Sequence, residues 1–393
     1  MIEISIPKNV TISKIAELYN QYINTGDNFL DLNLKLPSSF DKYTYGLLGD
    51  LLKFVITLNT KSNIETVIFD DDVANIDSFY DQEYAYPIVS LLWNTAAFID
   101  KNNVNIKSKL REKQNEFFIK MNSLSRLKGN KYIFTNTDHL PQSKGLIRLF
   151  ENQNGFNDDE NQIKQNIRKI FDEYILTFNK KNKYEFEGIL DDIGAIVYEL
   201  TKNTYEWGRT DENMIEIPAS IRGVYFRFHK NKIDTVLNEY VDTPIYSFFK
   251  HPFVNQNCLN ELNQIYYLEI LVFDSGVGFI DKFFQKGNST NLDIIKKCLV
   301  KNQTSSVSNL KSKKGMGLDR ILNILNKKGF VKIQTDKYSV YRDLIKDIYK
   351  PIDIQKLDDL KLEDWNNNNF STNNIAKSQG SFISILYPFK SNN

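Results

Sequence analysis

The run Tyr266-Tyr267-Leu268-Glu269-Ile270-Leu271-Val272-Phe273, closed by Asp274-Ser275-Gly276-Val277-Gly278, constrains this chain more than any other stretch. Eight residues rich in aromatic and β-branched side chains are too short for a bundle helix and too apolar for a sheet edge, so they predict a central strand. The two glycines predict a turn whose backbone can take conformations, and allow a ligand approach, that a Cβ would forbid. An aspartate at the end of such a strand can accept a hydrogen bond from an amino group such as adenine N6.

Two other segments carry chemistry. On a predicted helix, Phe186 to Trp207, the positions Ile189, Leu190, Ile193, Val197 and Leu200 recur at helical spacing and define a buried face. Glu199 and Asn203 stand one turn apart on a neighbouring face. A carboxylate beside a carboxamide suits Mg²⁺-phosphate chemistry, because the amide oxygen is a hard neutral ligand and the carboxylate can deprotonate water. Taken alone the pair reads first as solvated helix surface, because Glu and Asn are frequent surface residues. Further on, Lys311-Ser312-Lys313-Lys314-Gly315-Met316-Gly317-Leu318 runs into a helix through Ile321, Leu322, Ile324 and Leu325. A glycine turn at a helix start offers backbone N–H groups and a positive dipole end to phosphate, and it also serves as a plain helix-initiating turn.

Together and in this order, the segments resemble the gyrase/chaperone/histidine-kinase/MutL (GHKL) ATPase superfamily. Glu199-Leu200-Thr201-Lys202-Asn203 resembles its N box, Asp274 to Gly278 its first glycine box, and Gly315-Met316-Gly317-Leu318 its second. Gly329 to Gln334 and Gly380 to Ile385 are similar to its last two strands. The resemblance implies a two-layer α/β sandwich, with a mixed sheet on one side and helices over the nucleotide on the other. It implies ATP and Mg²⁺ as ligands, with Asp274 reading adenine, Asn203 holding Mg²⁺ and Glu199 polarising the attacking water. Gly315 and Gly317 would wrap the phosphates, and Gly276, Gly278 and Leu318 would also belong to the ATP-binding set. Ser381 would complete the adenine pocket. Lys314 is assigned a phosphate contact from its charge and position alone.

A chain of 393 residues is expected to hold more than one domain. Strand and helix patterns alternate in the first third: Phe29 to Leu36 and Thr66 to Phe69 as strands, Tyr43 to Leu58 and Tyr86 to Ile99 as helices. This order predicts a small α/β module over residues 1–125, a connecting segment over 126–160, and the ATP-binding domain over 161–393. Within the first, Val67-Ile68-Phe69-Asp70 and Asn75-Ile76-Asp77-Ser78 resemble the strand and Asp-Ser turn of STAS domains, although Phe79 stands where that family has glycine. Asp70-Asp71-Asp72 reads as exposed acids at a strand end, with a Mg²⁺ site as the alternative. Spans of about 231–262 and 336–379 exceed ordinary loop length and are expected to contain helices and to engage a partner. Asn366 to Asn369 reads as a mobile low-complexity loop.

Fifty Lys and Arg against forty-nine Asp and Glu give no global basic footprint, so nucleic acid is not indicated. Two cysteines without metal-ligand spacing fit a reducing cytoplasm, and no stretch reaches the apolar length of a membrane span. His139, His229 and His251 read as structural histidines, which disfavours histidine autophosphorylation. The expected function is Mg²⁺-dependent ATP hydrolysis that switches a protein partner in a bacterial regulatory or defence system, with an ATP-dependent homodimer compatible. Asn203-Thr204-Tyr205-Glu206-Trp207 resembles the motif of anti-sigma Ser/Thr kinases except that Trp207 replaces a histidine, so a protein kinase is the first alternative. A non-hydrolysing nucleotide-binding module is the second.

Overall fold

The computed structural model describes residues 2–25, 31–177, 186–282, 289–300 and 317–391. Strands β1 (Ile2–Ser5), β2 (Asp31–Leu36), β3 (Asn63–Phe69) and β4 (Ala97–Asp100) form a parallel sheet in sequential order. Helices α1 (Ile12–Tyr19), α2 (Leu47–Lys61), α3 (Ile76–Tyr80), α4 (Ala85–Leu92) and α5 (Lys107–Asn122) accompany it. The alternating pattern of the first third is therefore a true α/β module. One element differs from expectation. The apolar stretch read as a single helix to Ile99 stops at Leu92, and Ala97–Asp100 pairs with β3. A continuous apolar run has the same composition whether it forms a buried helix or a buried parallel strand, so composition could not mark the break.

The second sheet is built from β5 (Lys131–Thr137), β8 (Ile221–Lys232), β9 (Gln264–Asp274), β10 (Phe330–Asp336), β11 (Tyr338–Asp343), β12 (Glu363–Asp364) and β13 (Ser378–Pro388). Its order is β12-β11-β10-β13-β9-β8-β5, with β9 central. A separate two-residue hairpin, β6 (Glu151–Asn152) and β7 (Gly155–Phe156), lies outside it. Every pairing in the seven-stranded sheet is antiparallel, so the expected mixed sheet is corrected; parallel pairing is confined to the N-terminal sheet. The segment read as connecting supplies the edge strand β5, which pairs with β8 along its whole length.

Helices α6 (Gln142–Gly145), α7 (Glu160–Ile170), α8 (Leu190–Trp207), α9 (Ile233–Glu239), α10 (Pro244–Phe249), α11 (Pro252–Asn257), α12 (Phe279–Lys282), α13 (Asn291–Cys298) and α14 (Gly317–Ile324) follow among the described residues. Three of them, α9 to α11, fill the first expected insertion. The second insertion holds β11, β12 and a 3₁₀ turn at Ile354–Asp359.

Strand alternation decides what covers each face. Ile270 lies opposite Phe226, whose ring meets Phe171 just beyond α7, so even-numbered positions of β9 face α7 and α8. Leu271 and Glu269 point the other way, toward α2, where a Cβ on Gly49 would lie 3.2 Å from Leu271. The expected two-layer sandwich thus has a third layer, the N-terminal helix α2. One hydrophobic cluster runs through both halves, from Ile4 and Leu51 to Val272 and Ile385.

Several of the charged groups buried in this core are paired. Glu269, fully buried in the middle of β9, accepts from Gly46 N at 2.8 Å and Tyr43 Oη at 3.1 Å, and its second oxygen lies 2.8 Å from His229 Nε2. Asp50 of α2 accepts from Lys332 Nζ at 3.2 Å and Gln334 Nε2 at 2.8 Å on β10. Arg222 is buried between Asp138 and Glu151. All three histidines have structural work: His139 bridges Ser220 and Ser90, His229 meets Glu269, and His251 caps α11 through Phe253 N. No helix among the described residues is long and apolar enough to cross a membrane.

Candidate functional site

The end of β9 and the end of α8 meet. Asp274, the last residue of β9, is 7 % exposed, and its carboxylate accepts from Gly276 N at 2.9 Å. A Cβ on Gly208, which follows Trp207 at the close of α8, would sit 2.6 Å from the Asp274 Cβ. A Cβ on Gly276 would come within 2.8 Å of the Trp207 carbonyl oxygen. Both glycines are therefore required by close approach, and the helix C-terminus rests directly on the aspartate turn.

The other wall comes from β13 and β10. Ser381 is the cross-strand partner of Asp274 on one side and of Thr335 on the other. Gly380, at φ +91°, donates its N–H to Gly276 O at 2.7 Å, and a Cβ there would lie 2.2 Å from the Asp274 carbonyl oxygen. Gly278, at φ +87°, is pressed against Thr335, whose Oγ1 accepts from Phe279 N at 3.0 Å. Gln379 Nε2 donates to Ser275 O at 2.9 Å. Asp274, Gly276, Gly278 and Ser381 thus form one compact turn-and-strand cluster.

Burial pushes the Asp274 carboxyl up to about 6, while the N–H groups of Gly276 and Ser381 and the charges of Arg222 and Lys282 favour its ionised form. Lys282 is itself buried and donates to Thr210 Oγ1 at 2.6 Å. Near neutral pH this leaves a desolvated carboxylate with unspent acceptor capacity, which suits an amino-group donor.

Asn203 and Glu199 lie farther up the same helix. From Gly208 the axial rise is about 7.5 Å to Asn203 and about 13.5 Å to Glu199, and the latter two share one face of the helix. Asn203 is half-buried, and among the described residues its amide has no hydrogen-bond partner. Glu199 is buried, and burial raises its carboxyl above the usual range; Glu160 and Glu206 push the same way, against Lys202 and Arg320. Lys202 is engaged by Asp158 at 2.6 Å and by the Tyr198 hydroxyl at 3.0 Å. Helix α14 packs on α8, begins at Gly317 and buries Leu318. Its Arg320 lies 3.5 Å from Glu160. Lys314 and Gly315 lie outside the described residues.

Sequence reasoning missed Gly208, Thr335, Gln379, Lys282 and Arg320. Gly208 had a visible signal, a glycine closing the helix that carries Glu199 and Asn203. The others depend on pairing and packing that no local pattern encodes. At the N-terminal sheet, Asp70 pairs with Lys35 at 2.9 Å, Asp72 with Lys101 at 2.8 Å, and Asp71 accepts from Asn75 Nδ2 at 2.9 Å. No group of three or more His, Cys, Asp or Glu able to hold a metal occurs among the described residues.

No protein-family model matches this chain, and neither a curated protein nor a solved structure does.

Proposed function

We propose that the region where α8 meets the β9–β13 turns binds ATP with Mg²⁺ in the manner of the GHKL superfamily, and that hydrolysis switches the contact of this chain with a protein partner. The observation that carries the reading is the buried Asp274 carboxylate, walled by Gly208, Gly276, Gly380 and Ser381 at the foot of the helix bearing Asn203 and Glu199. Asp274 accepts from the adenine amino group, and Ser381 lies beside it to complete the pocket. The absence of a Cβ at Gly276 and Gly278 lets the turn close onto Trp207, Gly208 and Thr335 and so fixes the Asp274 carboxylate in place.

Asn203 would hold Mg²⁺, and its unengaged amide on the same face as Glu199 fits that role. The ion, when bound, neutralises phosphate charge. Glu199 orients the attacking water and takes its proton; burial keeps its pKa raised, toward the working range of a general base. Gly317 and Leu318 open α14 over the phosphates, and Arg320 stands on its next turn. Support for a switch comes from placement: the second-box helix packs on α8, while α2 of the N-terminal module backs the same sheet. That module, with Ser78 exposed on α3, is the surface we assign to the partner, and a STAS-like role belongs to the same proposal.

Phosphate release by the wild type and by Glu199→Ala tests the reading. Loss of release with retained ATP binding is expected. Equal rates remove hydrolysis from this site, γ-phosphate appearing on protein favours the Ser/Thr kinase, and background levels of both favour a nucleotide-binding module.

A further inference from the structure

On the opposite side of the seven-stranded sheet from Asp274, α1 and α2 meet β10, β11 and the Asn366–Asn369 run around a cavity of about 390 Å³. That volume lies within the range of small-molecule sites, roughly 300–1,000 Å³. Its walls come from both halves of the chain.

The cavity is polar and carries an unbalanced cation. Asp50, Lys53, Lys332, Asp336 and Lys337 line it, three lysines against two aspartates. Asp50 is already engaged by Lys332 and Gln334. Lys53, half-buried with its ammonium 4.9 Å from the centre of the Tyr19 ring, has no ion pair or hydrogen bond among the described residues. Burial and the neighbouring Lys332 depress it to about 8, against the pull of Asp50, so it still carries its proton at neutral pH. The Ser339 hydroxyl, buried in the same wall, also has no partner among the described residues. An ammonium without an ion pair and a hydroxyl without a partner on the walls of one cavity are costly when it is empty and useful when it is filled.

The rim is built. Asn366 N, Asn368 N and Phe370 N all donate to the Asp364 carboxylate, at 3.0, 2.8 and 2.9 Å, and Asn367 and Asn369 take the left-handed conformation that asparagine tolerates. The run expected to be a mobile loop is therefore wound around one side chain, and Asn366 and Asn368 stand at the cavity.

We propose that this cavity binds a small phosphate-bearing molecule, with Lys53 and Ser339 holding the phosphate and the asparagine rim meeting the polar remainder. A carboxylate is the other small anion to weigh. Paired recognition of its planar face favours the arginine fork, whereas lysine serves phosphate as a point charge with three donors. The described lining contains lysines and no arginine. A phosphate monoester also brings three acceptor oxygens, enough for the ammonium, the hydroxyl and a rim amide together.

Calorimetric titration of the full chain with inorganic phosphate, ribose 5-phosphate and ribose tests this, with an unhydrolysable ATP analogue and Mg²⁺ present to occupy the opposite site. Saturable binding of ribose 5-phosphate, tighter than phosphate and absent for ribose, is expected. Lys53→Met is expected to weaken it about ten- to hundredfold, the usual worth of a charged hydrogen bond. The same variant should raise the melting temperature of the ligand-free chain, because an unpaired cation is removed. Ser339→Ala should weaken binding several-fold and keep the fold. No saturable binding by the wild type overturns the proposal, as does binding that both variants leave unchanged.

Discussion

Gly208 and Asp274 touch so closely that a methyl group on the first would lie 2.6 Å from the Cβ of the second. Sixty-six positions apart in sequence, they lock the end of a helix to the end of a strand. The helix brings Glu199 and Asn203, the strand brings the base-reading carboxylate, and their joint holds both in one geometry.

Gly208→Ala is therefore expected to damage the site before it damages the fold. Overlap with Asp274 and with the Thr204 carbonyl oxygen, 2.7 Å from the added Cβ, costs about 1–3 kcal/mol. ATP affinity should fall more than thermal stability explains, as calorimetry beside a thermal melt would reveal. An affinity that stays at the wild-type level would show that the joint is not part of the site.

Asp274→Asn separates binding from stability. Burial raises this carboxyl, so its ionisation opposes folding: the stability it contributes is present below the ordinary aspartate pKa and is lost as pH rises toward about 6. The asparagine variant should be at least as stable at neutral pH, with the decline between about pH 4 and 6 flattened in denaturant titrations. It should nonetheless lose ATP binding by about a hundredfold, because an amide offers the adenine amino group a weaker acceptor.

The same carboxyl predicts a pH profile for ligand affinity. Only ionised Asp274 is a good acceptor, so ATP binding should weaken as pH falls below about 6 and protons should be released on binding near that pH. Calorimetry in two buffers of different ionisation enthalpy measures that release. A flat profile would assign base recognition elsewhere.

Asp50→Ala tests the joint between the halves. It leaves Lys332 buried without its partner, which costs about 3–5 kcal/mol, whereas changing Asp50 and Lys332 together to apolar residues should cost much less. Urea melts of the single and double variants report the difference.

Much of this was legible in the residues, and the reasons differ by element. The strand ending at Asp274 announces itself by a short aromatic and β-branched run closed by a glycine turn, and the helix bearing Glu199 by one dominant helical period. The strand Ala97–Asp100 did not, because its apolar residues continue the composition of α4 without a glycine or proline between them. The edge strand β5 was hidden for a related reason: Lys131–Thr137 gains strand character from pairing with β8, not from its own alternation. The third layer over the sheet was invisible, since nothing local tells Gly49 that it will rest on Leu271. Likewise Gly380 and Thr335 acquire meaning only when β13 and β10 are laid side by side.

The carboxylate of Glu269 has a further consequence. Its oxygens are met by Tyr43 and Gly46 of the first half and by His229 of the second, so a buried carboxyl on the central strand of the second sheet takes two of its three partners from the first half. A polypeptide beginning near residue 126 would expose that debt at the centre of its largest sheet. The two halves are therefore expected to unfold together in a single transition, and a chain lacking α2 is expected to form its second sheet poorly.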